Sequence, residues 1–433
     1  MISACAQTSH PSARQHSPDE LPERLDAYFA RYAAAADFAG VALVARGNST
    51  IFEKPYGKAD MSTGAENTPN TWFRVASVSK TFTGAAVAML ASRGKISLED
   101  PLAKYLPDFP RADAITLHHL LLHRSGVGQV AGTDIATKCL STVEMLERIA
   151  RAPRQFEPGV DSSYSNEGFF LLAVVVEKVS GQLFDTFLQE NVFRPLQMAS
   201  SGTLCSSTRP SGLSRGHVPS SRGLTPLATG EVAMMGAGSV YSTAQDLLTW
   251  MRSLRRGDLL AISSLEYPYG WGKRNYGGHR LIEQTGILAG FTAHIALYGD
   301  DETYAIVLSN VQSGMVQRLA ADLHSLLFGD RAVSTPPELL LIQLPPDKVA
   351  SFEGDYSSKD LKVTLRIGVQ NGLLTSRWGD YPFGMVWLPV GENEFFTRQE
   401  YARAHFEHDL SGAVTGATIA WPQGTLSFVR QKR

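Results

Sequence analysis

Residues Arg74–Gly84 read RVASVSKTFTG and run directly into AAVAMLASRG, which ends at Gly94. The residues after Lys80 are small and apolar, the composition of a buried helix, and Gly94 is placed to end it in a left-handed turn. In such a helix Ser77 and Lys80 stand at i and i+3, on one face, with Cβ atoms about 5–6 Å apart. Burial disfavours an ammonium ion and lowers a lysine's pKa, so a serine one turn before it acquires a neighbouring base. Ser79 falls on another side and reads equally as a capping or packing residue. A Ser-x-x-Lys spacing is short and recurs by chance at helix starts, so its meaning depends on what else the chain carries.

Outward from this stretch, the chain alternates between two textures. Leu25, Tyr28, Phe29 and Tyr32 recur at helical spacing and predict a helix over 21–36. GVALVARGNSTIFEKPYGKAD (Gly40–Asp60) predicts two strands around a Gly47-Asn48 turn. From about 97 to 260 helical patterns and long loops dominate. They include the longest apolar run, Phe169–Val176, far short of the ~18–20 residues that span a bilayer and therefore read as a buried helix. Residues 276–310 return to strands, with turns at Tyr276-Gly277-Gly278 and Gly299-Asp300-Asp301, and a helix follows from about Met315 to Phe328. Strands at both ends of a helical middle predict an α/β (α+β) unit: an antiparallel sheet flanked by helices with an inserted helical lobe.

DRAVSTPPELLLIQLPPDKV holds two Pro-Pro pairs and reads as a linker. Beyond it, short alternating segments such as LKVTLRIGVQNGLLTSRW, with Asn-Gly and Gly turns, predict a small all-β barrel or sandwich. The expected organisation is a flexible leader at 1–20, a first domain at 21–330, a linker at 331–349 and a β domain at 350–433.

Composition narrows the function classes. With 433 residues, 43% of them hydrophobic and 19% charged, the chain reads as a globular protein of two or three domains. A net charge of −2 with dispersed basic residues offers no surface for nucleic acid or anionic lipid. Cys5, Cys139 and Cys205 are too few and too scattered for a disulfide framework or a zinc site. His119 and His123 have the i, i+4 spacing of a zinc pair but lack the intervening glutamate, and Leu120–Leu122 between them read as core. No apolar segment follows Met1, which as the sequence stands suggests a cytoplasmic protein; ISAC before residue 6 would instead mark export and lipid anchoring at Cys5 had a signal segment been trimmed.

Two further stretches give Ser77 and Lys80 company. FEPGVDSSYSNEGFFLLAVVVEKVSG carries Tyr164-Ser165-Asn166, and IEQTGILAGF carries Gln284-Thr285-Gly286 on a predicted strand. Ser-x-x-Lys, a [Tyr/Ser]-x-Asn loop and a polar-[Thr/Ser]-Gly strand, in this order, resemble the motif set of active-site-serine β-lactamases and penicillin-binding proteins. The first 330 residues or so resemble the class C β-lactamase-like group, with its D,D-peptidases, D-aminopeptidases and family VIII carboxylesterases. LHHLLLHRSGV, GAGSVYSTAQDLLTWM and YGWG look like further landmarks of that group, and Tyr164 in place of a serine points to its class C-like branch. The region from about 350 resembles the lipocalin-like barrel often appended to these hydrolases.

The resemblance implies roles. Ser77 is the nucleophile that carries the acyl group, Lys80 and the Tyr164 phenol share the proton acceptor's task, and Asn166 orients Lys80 and the acyl side of the substrate. The oxyanion hole uses the backbone N–H groups of Ser77 and Ile287. No cofactor is implied. The substrate class is a small ester, amide or peptide, and a homo-oligomer is compatible with the family. The third motif departs from relatives that carry Lys or His: Gln284 has no charge, which favours neutral esters, amides or amino-terminal peptides over anionic β-lactams, unless Lys273 or Arg274 restores a positive charge. Ile287 narrows the cleft where relatives carry a small residue. Esterase-type activity stands ahead of D-amino-acid peptide hydrolysis, with a non-catalytic ligand or peptidoglycan binder as the rival of another class.

Two other signals read as background. GLSRG at 212–216 fits the Gly-x-Ser-x-Gly esterase elbow, but Ser214 lies in a Ser/Pro/Arg loop without the strand and helix that motif needs. His279 and His294 lie near the third motif and read as packing or surface residues.

Overall fold

The strand Gly40–Arg46 (GVALVAR) is buried at every position but the last because both of its sides are covered. Val41, Leu43 and Ala45 enter one apolar core and Ala42 and Val44 another, the two-residue period of a strand between two layers. The structure, a computed structural model, describes residues 20–130, 140–204, 210–220, 223–227, 234–260, 269–276, 278–329, 332–358, 364–379 and 384–431. The leader through residue 19 and the three cysteines, with the anchoring reading of Cys5, lie outside the described residues.

Six antiparallel strands form the central sheet in the order Gly272–Tyr276, His279–Leu288, Phe291–Tyr298, Thr303–Ser309, Gly40–Arg46 and Ser49–Tyr56. The chain's first strand pairs with a strand some 260 residues later, Gly40 opposite Ser309 and Arg46 opposite Thr303, which joins the two ends of this unit. On one face lie the helices Leu21–Ala34 and Val316–Phe328, through Leu25, Phe29, Leu319 and Leu323. On the other lie Ser79–Ser92, Asn166–Ser180 and Ala244–Arg256, in a core that includes Phe82, Leu171 and Trp250. The apolar run Phe169–Val176 is buried throughout, as its composition predicts.

Eight antiparallel strands between Gly354 and Arg430 close into a barrel, the last (Gly424–Arg430) pairing with the first (Gly354–Ser358). Alternation sets inside and outside: in Ala402–His408, Ala402, Ala404 and Phe406 are buried while Arg403, His405 and Glu407 are exposed. Phe352, Tyr356, Trp387, Phe395 and Phe406 fill the interior, as expected for so few strands. Crossing the end of the predicted linker at 349, Pro346–Ser351 forms a short helix that begins with proline, whose fixed φ suits a first turn. Side chains join the barrel to the sheet domain. Asp37 Oδ2 accepts from Arg398 Nη1 at 2.7 Å and from Tyr401 Oη at 2.9 Å, and Phe396 and Tyr401 pack in the core that holds Met315.

Candidate active site

Ser77 does not begin a regular α-helix. It sits in a single 3-10 turn, Ala76–Val78, that leads into the helix Ser79–Ser92. This tighter winding brings positions i and i+3 into line, and Lys80 Nζ lies 3.2 Å from Ser77 Oγ. Ala76, just before Ser77, holds a left-handed φ of 47°, a conformation that costs a non-glycine residue on the order of 1–3 kcal/mol and persists only under restraint from its surroundings. Ser79 is buried and its Oγ accepts the Val240 N–H at 3.0 Å, so it packs the turn.

Lys80 is wholly buried, and its nitrogen meets three oxygens: Ser77 Oγ, Asn166 Oδ1 at 2.8 Å and the Ala237 carbonyl at 2.9 Å. Burial lowers its pKa to about 7, opposed by the nearby Glu167 carboxylate. Of the three oxygens, the two carbonyls can only accept, and a serine hydroxyl can accept or donate. A neutral lysine has two N–H bonds and one lone pair. With the N–H bonds directed to Asn166 and Ala237, the lone pair faces Ser77. The Ala237 carbonyl has no side-chain signature, although the surrounding GAGSVYSTAQDLLTWM was singled out as a landmark. Thr83 Oγ1 holds the adjacent Gly236 carbonyl at 2.6 Å.

Tyr164 and Asn166 flank Ser165, which caps the helix Asn166–Ser180 by accepting the Gly168 N–H at 2.9 Å. Tyr164 Oη is 2.6 Å from Ser77 Oγ. Its half-exposed ring lies with its centroid 4.7 Å from Lys80 Nζ and 4.8 Å from the His123 ring. His123, which lies in the LHHLLLHRSGV stretch and has an i, i+4 spacing to His119, supports this loop: Nδ1 accepts the Ser165 N–H at 3.1 Å and its carbonyl accepts the Ser163 N–H at 2.9 Å. Burial first, and then the Lys80 charge, bring the His123 pKa to about 4, so the imidazole is neutral near pH 7. Buried Glu167 accepts the Val130 N–H at 2.9 Å and ties down a second loop.

The strand His279–Leu288 passes beside this turn, and Gly286 permits it: a Cβ there would stand 2.3 Å from the Val75 carbonyl oxygen and 2.8 Å from the Ser77 nitrogen. Gly270, at φ 87°, plays the same part under the helix, since a Cβ would meet the Lys80 carbonyl oxygen at 2.5 Å. The Gln284 amide is engaged locally, with Nε2 donating to Gly270 O at 2.5 Å and Oε1 accepting the Thr285 N–H at 2.9 Å. Pairing with Gly272–Tyr276 stops at Glu283, opposite Gly272. The Thr285 N–H is therefore directed to the edge where strand pairing has ended. Alternation along a strand sends the Ile287 N–H the same way, beside the Ser77 backbone. The Ile287 side chain is exposed. Thr285 lies on the same face of the strand as Ile287, opposite to Gln284 and Gly286, and its hydroxyl is 2.9 Å from His294 Nδ1. Arg274, considered above as a replacement cation, is paired with Glu283 at 2.9 Å.

The background signals resolve structurally. Ser214 is buried and donates to the Trp72 carbonyl at 2.9 Å. His119 Nδ1 accepts the Thr116 N–H in a helix-capping box, and His279 pairs with Asp301 at 2.7 Å. No cluster of metal-ligating side chains occurs among the described residues, and none of their helices is long and apolar enough to cross a membrane.

Comparison with known proteins gives consistent results. The family described as Beta-lactamase matches residues 25–328. The putative penicillin-binding protein PbpX of Bacillus subtilis is 27% identical over 290 residues, 65% of this chain and 73% of its own length. Esterase EstB of Burkholderia gladioli is 34% identical over 217 residues, 46% of this chain and 55% of its own. Among solved structures, the octameric penicillin-binding protein homologue from Pyrococcus abyssi superposes with a TM-score of 0.63 at 19% identity. The match covers 94% of this chain and 99% of the other, a likeness of fold that takes in the barrel as well.

Proposed function

The chain belongs to the Beta-lactamase family, and we propose that it is a serine hydrolase that opens small neutral esters or amides through an acyl-enzyme at Ser77. The observation that carries this is the environment of Lys80, where two obligate acceptors take its N–H bonds and the remaining position faces the serine. Lys80 takes the Ser77 proton as Oγ attacks the acyl carbon. The backbone N–H groups of Ser77 and Ile287 stabilise the oxyanion, each donor worth ~2.7–4 kcal/mol in such sites. Tyr164, 2.6 Å from Oγ, gives its phenolic proton to the leaving group. The phenolate then takes a proton from water as hydroxide attacks the acyl-enzyme, and Lys80 returns its proton to Ser77. Both groups end as they began.

The preference for neutral substrates is read from Gln284, whose uncharged amide is held by the Gly270 carbonyl, with Arg274 Nε drawn to Glu283. The similarity to an esterase and to penicillin-binding proteins supports the ester and amide class. Self-association, as in the octameric relative, is part of the same reading, and light scattering tests it. The decisive experiment is labelling with a fluorophosphonate: wild type should be modified at one site and Ser77→Ala should not. Equal labelling of the two, or none of either, rejects the proposal. A panel of short-chain p-nitrophenyl esters, D-amino-acid amides and nitrocefin then ranks the substrates, neutral esters and amides being expected first.

A further inference from the structure

Two buried polar atoms beside the third motif have no hydrogen-bond partner among the described residues: Glu283 Oε2 and His294 Nε2. They face each other at 3.9 Å. The other end of each group is occupied, since Glu283 Oε1 pairs with Arg274 at 2.9 Å and His294 Nδ1 meets the Thr285 hydroxyl at 2.9 Å. The result is a line, Arg274–Glu283–His294–Thr285, across three neighbouring strands, ending one residue from Gly286. The acyl-transfer scheme uses neither Glu283 nor His294.

The line constrains where one proton sits. His294 is buried, and burial followed by the Arg274 charge holds it neutral, with a pKa of about 4, so its ring carries a single N–H. A carboxylate oxygen opposite Nε2 favours that hydrogen on Nε2 and a bare lone pair on Nδ1. The Thr285 hydroxyl must then donate to Nδ1, and only its oxygen lone pairs remain for a ligand.

We propose that Glu283 and His294 are specificity-determining positioning residues that make the Thr285 hydroxyl an acceptor. The subsite along this half-buried edge then takes a substrate bearing a hydrogen-bond donor (an amide N–H, a hydroxyl or an ammonium) and turns away a carboxylate, whose oxygens meet lone pairs. This rests on the ester and amide hydrolase reading above and names the chemistry of the group beside the scissile bond.

Two nearly isosteric substrates test it: the p-nitrophenyl monoester of succinamic acid, which ends in an amide, and that of succinic acid, which ends in a carboxylate. Wild type should prefer the amide. In Glu283→Gln, Arg274 engages the amide oxygen and the NH2 faces His294 Nε2, which moves the ring hydrogen to Nδ1 and frees the Thr285 hydroxyl to donate. The ratio of kcat/KM for carboxylate over amide should rise about tenfold, the difference between a neutral and a charge-assisted hydrogen bond. Thr285→Val should lower turnover of the amide ester while sparing the carboxylate ester. Long-range 1H–15N correlation on wild type, assigned against His294→Gln, should show the Nε2–H tautomer. An Nδ1–H tautomer, or a ratio unmoved by Glu283→Gln, overturns the proposal. Should neither ester turn over and Ser77 resist the fluorophosphonate, the hydrolase reading fails, and the tautomer alone then decides the subsite.

Discussion

Lys80 Nζ and Asn166 Oδ1, 86 positions apart in the chain, lie 2.8 Å from each other inside the site. An amide oxygen orients the amine without favouring its charged form as a carboxylate would. The lysine, lowered to about 7 by burial, must be neutral to accept the serine proton. The acid limb of kcat/KM should therefore rise to a plateau with a midpoint near pH 7. Asn166→Asp places a negative charge beside the amine, favours the ammonium and moves that midpoint upward by a unit or more. A midpoint that does not move separates Lys80 from the acid limb.

The same lysine bears on stability. Below about pH 7 it is charged in both folded and unfolded chains, and above about 10.5 it is neutral in both. Between these values folding releases a proton, so stability falls as pH is lowered, by about 1.4 kcal/mol per unit. Urea unfolding should show wild type losing stability relative to Lys80→Ala at this rate from about pH 10 to 7, with parallel curves below.

Gly286 lets the strand press against the turn that holds Ser77. Gly286→Ala introduces a Cβ within 2.3 Å of a backbone oxygen and must move the strand or the turn. A displacement near 1 Å in such a site costs on the order of a hundredfold in turnover. The variant should keep its circular dichroism spectrum and lose about that much kcat against p-nitrophenyl butyrate.

Gln284→Lys exchanges a locally bonded amide for a cation. Hydrolysis of anionic nitrocefin relative to a neutral ester should rise about tenfold, the gain from one charge-assisted hydrogen bond. Loss of the acceptor for the Thr285 N–H and of the bond to Gly270 should lower the thermal midpoint at the same time.

Arg398→Ala removes the charged one of the two barrel groups that hold Asp37, whose carboxyl burial raises to about 6 despite the opposing pull of Arg398 and Tyr401. A buried charge without its partner costs about 3–5 kcal/mol. The deficit should be largest at pH 7–8 and shrink toward pH 5, where Asp37 takes a proton. Chemical denaturation at both pH values reads it directly.

Local periodicity made much of this legible in advance. The dense β-branched and aromatic residues of 40–56 around a Gly-Asn turn, the apolar run at 169–176 and the turn-rich alternating texture beyond 350 each follow from which side of an element meets a core. The motifs located Ser77, Lys80, Tyr164 and Asn166 because their side chains carry the chemistry. What escaped depends on backbone and on distance. The 3-10 turn and left-handed Ala76 sit where the strand at Gly286 passes too closely for a Cβ, a tertiary approach that local sequence does not encode. The Ala237 carbonyl belongs to a residue whose side chain says nothing. His123 was visible as a letter, but its position under Tyr164 depends on how two loops meet. The side of the strand on which Thr285 lies, opposite His294, required the cross-strand register.

The barrel's entry and exit strands, Gly354–Ser358 and Gly424–Arg430, are hydrogen-bonded neighbours, and Gln431 N donates to Asp355 O at 2.8 Å. A module that begins and ends at one place can be grafted into a surface loop of an unrelated scaffold without stretching its host, or have its connectivity cyclically permuted. Its attachment to the sheet domain runs through Asp37, Arg398 and Tyr401 and through Phe396 in the core that holds Met315, so any replacement module must reproduce those contacts.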